Sequence, residues 1–211
     1  MKSLYFSATF EEGDAPVWRR FSVPMNYTFT QLHDCLQILF GYSGSEEYEF
    51  VMEEPKLRIT ADADLYERYL FLHSEAGKAY LEEKREEGHE IDLSVEVAWA
   101  EDLPLDPLTL KNRTFSYIYD FSDEWVYRLE LLDILEDGPE VPALRDGLGN
   151  APFEACGGLD GYYELVEVLT NPNHPDNEAI HMWVDEMGYS FYDEDDVNDA
   201  LRAYGESQNE K

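Results

Sequence analysis

The chain has 211 residues, 44% of them hydrophobic and 14% aromatic, which is enough for a packed core and too much for an acidic disordered chain. Its 47 acidic residues against 15 basic ones leave a formal charge of -32, and that charge opposes both a duplex phosphate backbone and an anionic membrane. Residues 151–211 are the extreme, with 15 acids against only Arg202 and Lys211. Cys35 and Cys156 form neither a CxxC pair nor a zinc spacing. The N-terminus lacks a signal-peptide core, and no apolar run has the ~20 residues of a membrane span, so a cytoplasmic location is expected.

Residues 3–10 alternate, with Leu4, Phe6, Ala8 and Phe10 on one side and Tyr5, Ser7 and Thr9 on the other, which predicts a half-buried strand. Residues 17–23 resume that period after a turn over 11–16 containing Gly13-Asp14, giving a hairpin ended by Pro24. Thr28 to Gln31 has capping-box spacing, and Phe29, Leu32, Cys35, Leu36, Leu39 and Phe40 continue as a helical stripe stopped by Gly41. His33, one turn before Gln37, falls at the polar edge of that helix. Two further strands, 47–52 and 56–60, complete an N-terminal β-β-α-β-β unit with the helix laid on a small sheet.

Residues 61–112 read as a variable insert, with an exposed helix over 76–88, a strand over 92–99, and Pro104 and Pro107 as breaks. Residues 114–121 and 125–132 form an aromatic hairpin: Phe115, Tyr117, Tyr119 and Phe121 share one face of the first strand, and Trp125, Tyr127, Leu129 and Leu131 one face of the second. Residues 136–160 are irregular and rich in proline and glycine. Helices are predicted over 161–170, 176–187 and 194–204, the second with Ile180, Trp183, Val184 and Met187 as its stripe. The expected fold class is α+β, with a small antiparallel or mixed sheet, an aromatic hairpin and C-terminal helices, in a single domain spanning 1–211.

Candidate chemistry gathers in three places. Asp120 and Asp123 flank the hairpin turn; as a pair they would suit a metal or acid/base work, whereas aspartates in turns more commonly bind their own backbone. Glu154 and Cys156 stand next to Gly157, Gly158 and Gly161 at a helix start. Such glycines can expose amides to an anion, and more commonly serve close packing. Arg19 and Arg20, adjacent on a strand, are expected in internal salt bridges. The five histidines, 33, 73, 89, 174 and 181, have no zinc-ligand spacing, and no cofactor fingerprint or metal site is read.

Three blocks stand in a distinctive order: Pro16-Val17-Trp18-Arg19-Arg20 with Leu32-His33 and Phe40-Gly41-Tyr42; Tyr117 through Glu130; and Pro152 through Tyr162. Together they resemble the plasmid ORF-3-like family, whose hallmarks are P-x-W-R-R, L-H-x-x-I-Q running to F-G-W, Y-D-F-G-D-x-W-x-H and P-P-E-D-x-G-G-x-x-G-Y. The resemblance covers most of the chain outside about 55–112. The candidate binding positions read from this chain are Arg19, Arg20, His33, Tyr119, Asp120, Asp123, Trp125, Tyr127, Glu154, Cys156, Gly157, Gly158 and Tyr162. Departures are Glu46 and Tyr127 where the family has histidine, Ser122 for its turn glycine, and Phe153 and Ala155 for the loop's second proline and its aspartate.

The family carries no established activity, so the resemblance supplies a fold and leaves the function open. The leading expectation is a non-enzymatic binding or interaction module, associated through the family with mobile-element or defence biology. One alternative is an acidic nucleic-acid mimic that binds a basic protein. Another is a hydrolase or metal-dependent enzyme built on Asp120, Asp123, Glu154 and Cys156.

Overall fold

A computed structural model describes residues 1–12, 16–189 and 191–210. Eight strands form one sheet: β1 (Ser3–Phe10), β2 (Trp18–Pro24), β3 (Tyr48–Met52), β4 (Leu57–Thr60), β5 (Glu96–Trp99), β6 (Thr114–Tyr119), β7 (Trp125–Leu135) and β8 (Ala143–Leu148). Their spatial order is β5-β4-β3-β6-β7-β1-β2-β8, with every neighbouring pair antiparallel except β4 and β5. The helices are α1 (Phe29–Phe40), α2 (Ala63–Leu72), α3 (Glu75–Glu86), α4 (Leu105–Thr109), α5 (Gly158–Thr170), α6 (Asn177–Glu186) and α7 (Glu194–Asn209). The architecture is α+β, as the sequence pattern predicts.

The β-β-α-β-β unit is present in chain order but is not a closed sheet. The aromatic hairpin β6–β7 inserts between β3 and β1 and takes the centre. The reason lies in its one-sided apolarity: Phe115, Tyr117, Tyr119, Trp125, Tyr127, Leu129 and Leu131 are all buried, and only central strands can bury such a face along their whole length. The Gly13-Asp14 turn of the first hairpin lies outside the described residues, while its strands pair from Ser3 with Pro24 to Thr9 with Trp18.

Helix α1 begins as its sequence dictates. Gln31 N–H donates to Thr28 Oγ1 at 3.3 Å, and Thr28 N–H donates to Gln31 Oε1 at 2.9 Å. Gly41, at φ +75°, ends the helix in the left-handed conformation. Its apolar stripe rests on the sheet, with the Phe29 ring 5.1 Å from Phe50 and 6.2 Å from Phe115. Helix α7 docks beside it: Tyr204 donates to Asp34 at 2.7 Å, and Leu144 N–H of β8 donates to Asn198 at 2.9 Å. Gly205 permits this approach, because a Cβ there would stand 2.6 Å from both Val141 and Pro142.

Four elements depart from expectation, one being the short α4, which takes in Pro107 in its first turn where the sequence predicts a break. Helix α2 lies in the stretch read as a variable insert; it buries no residue fully, and its inner stripe is the half-buried Leu65, Tyr66, Tyr69 and Leu72. Strand β8, within the stretch expected to be irregular, buries only Leu144 and carries Arg145 and Asp146 on the sheet edge, where charge is normal. Strand β5 is shorter than predicted, covering Glu96–Trp99 alone.

Candidate functional site

The turn between β6 and β7 commits Asp120 to its own backbone. Its Oδ1 accepts from Ser122 N–H at 3.0 Å and Asp123 N–H at 3.3 Å, and its carbonyl accepts from Glu124 N–H at 2.6 Å. Asp120 and Glu124 both hold positive φ, 58° and 53°, a conformation that aspartate tolerates better than most residues. The turn thereby delivers Trp125 and Tyr127 into the core, both fully buried. Asp120 acts here as a turn residue, the use its neighbourhood favours.

The 152–162 loop folds onto this hairpin. Tyr119 donates its hydroxyl to Glu154 Oε1 at 2.5 Å, and the same oxygen accepts from Ser43 N–H at 3.0 Å and Ser43 Oγ at 3.1 Å. The Glu154 carbonyl accepts from the Tyr189 hydroxyl. Glu154 thus joins the hairpin, the loop after α1 and the segment after α6. Tyr162 is buried, donates to the Asn150 carbonyl at 3.2 Å, and packs edge-on to Phe10 at 6.2 Å. Phe10 in turn lies 5.3 Å from Tyr127.

Ala155, Gly157 and Gly158 all take positive φ (58°, 92° and 72°). Gly161 lets the Cys156 carbonyl approach so closely that a Cβ would collide with it. These glycines answer backbone demands. An anion site at the α5 N-terminus has a competitor in Asp123, whose Oδ1 lies 3.7 Å from where a Gly158 Cβ would stand. The same carboxylate, secondary to burial, helps push the Cys156 thiol up to about 11, so it is protonated at neutral pH and a poor nucleophile. Left-handed alanine costs about 1–2 kcal/mol. Ala155→Gly is therefore expected to raise stability by about 0.5–1 kcal/mol after the added freedom of the unfolded chain. Urea unfolding checks this, and a loss would mean the methyl group makes a compensating contact.

Beside Glu154 lies a ring of phenols: Tyr119 and Tyr127 are candidate positions from the sequence, and Tyr42 and Tyr117 join them. Tyr42 and Tyr127 share a hydrogen bond of 2.6 Å, and the Tyr42 ring packs 4.7 Å from Tyr119. Tyr117 accepts from Gln37 Nε2 at 2.8 Å and meets His33 Nδ1 at 2.8 Å. Burial pushes Tyr42, Tyr117, Tyr119 and Tyr127 above the ordinary phenol range, so all are neutral near pH 7. The available signal was spacing: His33 and Gln37 lie four apart on a helix, and Tyr117 and Tyr119 two apart on a strand, so each pair shares a face.

Two expectations need correction. His33 is not at the polar edge of α1; it is 7% exposed and stacks on Tyr48 with ring centroids 3.6 Å apart. Among the described residues, neither Arg19 nor Arg20 forms a salt bridge. The Arg19 guanidinium donates to four carbonyls, those of Leu39, Trp18, Leu148 and Gly149, at 2.8–2.9 Å. The rings of Tyr192 and Phe40 cover it at 3.6 and 5.2 Å. Arg19 alternates to the buried side of β2, where among the described residues it meets carbonyls and rings. Arg20 points the other way and lies over Trp18 at 5.1 Å. Among the described residues, no group of three or more His, Cys, Asp or Glu is arranged to hold a metal ion.

The family model for plasmid pRiA4b ORF-3-like proteins matches residues 2–200. The chain belongs to this family. An uncharacterised protein of Sinorhizobium fredii, y4hQ, is 26% identical over 186 residues, covering 88% of this chain and 80% of that protein. The crystal structure of MM3350, a protein of unknown function from Methanosarcina mazei, superposes with a TM-score of 0.67 at 26% identity, over 93% of this chain and 98% of that one. The two departures at family histidine positions both touch the phenol ring. Tyr127, at one histidine position, bonds Tyr42, which stands at the position of the F-G-W tryptophan. Glu46, at the other, contributes its backbone N–H to the Tyr119 hydroxyl at 3.4 Å. Two imidazole positions are thus a buried phenol and a loop carboxylate. Among the described residues, no helix is long and apolar enough to cross a membrane.

Proposed function

We propose that this protein is a binding module whose partner is a cationic protein. The observation that carries the reading is charge placement. Residues 146–201, which supply the end of β8, all of α5 and α6 and half of α7, contain 14 acidic residues and no lysine or arginine. Most of these carboxylates are exposed. An exposed stretch of that length with no lysine or arginine steers a basic partner and repels nucleic acid and other acidic proteins. It also fits the acidic-mimic alternative, which differs only in requiring that the partner's covered surface be one that otherwise binds nucleic acid.

The hydrolase alternative has less support. Asp120 is spent on turn amides, Glu154 on Tyr119 and Ser43, and the Cys156 thiol is held protonated. The family's plasmid association suggests a partner encoded with mobile elements, which a host-lysate capture would address directly. Capture on the immobilised full chain should return a basic protein at low ionic strength and release it near about 0.5 M salt, where screening reaches a few ångströms. Neutral or acidic partners that persist in high salt would sink the proposal.

A further inference from the structure

Helices α5 and α6, joined by the short segment 171–176, leave a groove of about 410 Å³ between them. Leu165 and Val168 enter it from α5, and Ile180 and Trp183 from α6. Each pair is spaced three residues apart, so each helix offers one apolar stripe. All four side chains are only partly buried, which leaves apolar surface without a partner. Glu164 and Asp176 line the same groove, and neither helix carries a lysine or arginine.

We infer that this groove receives an amphipathic cationic helix of another protein, its apolar stripe laid on Leu165, Val168, Ile180 and Trp183 and its lysines or arginines reaching Glu164 and Asp176. The inference rests on the cationic-partner reading above and names its docking site. An apolar floor between two helices is the shape that an i, i+3, i+4, i+7 stripe fills. The acidic rim chooses among such helices by sign. A second copy of this chain is a poor occupant: its most basic helix, α3, carries Lys78, Lys84 and Arg85 among Glu75, Glu82, Glu83 and Glu86, and two bodies of charge -32 repel.

A test uses the full chain and two synthetic peptides of identical composition, both leucine and lysine, one with leucines in a single helical stripe and one scrambled. The wild-type protein should bind the striped peptide about ten-fold more tightly than the scrambled one, by isothermal titration or fluorescence anisotropy. Leu165→Gln with Ile180→Gln keeps every charge and should weaken striped-peptide binding about ten-fold. Equal binding by this variant and the wild type would overturn the groove while leaving a cationic partner standing. Failure of the wild type to bind either peptide would sink both readings. Should the variant unfold, the wild type suffices: a spin label on the peptide's apolar face should broaden the Trp183 indole resonance and spare that of Trp18. Equal broadening of the two would place the peptide elsewhere.

Discussion

Replacing Arg19 by methionine is expected to cost about 3–5 kcal/mol through the buried carbonyls it strands, a large share of the roughly 5–15 kcal/mol that holds a typical domain folded. The guanidinium is 1% exposed and joins three parts of the chain: its own strand β2, the Leu148 and Gly149 carbonyls at the end of β8, and the Leu39 carbonyl in the last turn of α1. That last contact places positive charge at the negative end of a helix dipole, and α1 has no basic residue of its own in its last turn. Burial draws the group down to about 10, so it remains charged at neutral pH. Methionine fills much of the volume but strands four carbonyls. Arg19→Lys should cost at least as much, because an ammonium brings the same charge with three donors and no planar fork. Arg20→Lys, on the exposed side of the strand, should stay within about 0.5 kcal/mol. Urea midpoints of the three variants decide the matter; an Arg19→Met loss below about 1 kcal/mol would refute the assignment.

The same residue shows what sequence pattern can and cannot tell. Alternation in residues 17–23 places Arg19 and Arg20 on opposite faces, yet the pattern does not say which arginine turns inward or what awaits it. Where one face is strongly apolar, the reading is secure. The Leu4, Phe6, Ala8 and Phe10 row and the Phe29 to Phe40 stripe are buried as expected. Where a helix buries its stripe only partly, as α2 does, or a strand sits on a sheet edge, as β8 does, the period is harder to read. Strand order was also beyond reach. Nothing local to β6 and β7 says that they split the two N-terminal hairpins, because that outcome follows from competition among faces for the centre of the sheet. The site is similar. Asp120 as a turn residue was legible from local chemistry, but the meeting of Glu154, Ser43 and Tyr119 joins positions up to 111 residues apart.

Acidification through His33 is expected to remove about 2 kcal/mol of stability between pH 7 and pH 5, and about 3 kcal/mol by pH 4. Burial lowers the imidazole from 6.5 to about 4, and the hydrogen bonds explain why the neutral form fits. Gln37 Nε2 donates to the Tyr117 oxygen, which leaves the Tyr117 hydroxyl proton free to be donated to an unprotonated His33 Nδ1. A protonated ring would turn that nitrogen into a donor and leave the Tyr117 proton buried without an acceptor. Because the folded value lies below the unfolded one, the unfolded chain binds the extra proton first. The contribution is therefore complete above about pH 6.5, falls as pH falls, and is gone near pH 4. Protonation of the many surface carboxylates relieves repulsion over part of the same range and opposes the trend. The informative quantity is thus the difference between the wild type and His33→Gln, whose amide does not titrate and can still accept from Tyr117. The wild type should lose about 2 kcal/mol more than the variant from pH 7 to pH 5 in parallel urea titrations. Curves that run parallel across that window would show that His33 is not held neutral by its burial against Tyr48 and Tyr117.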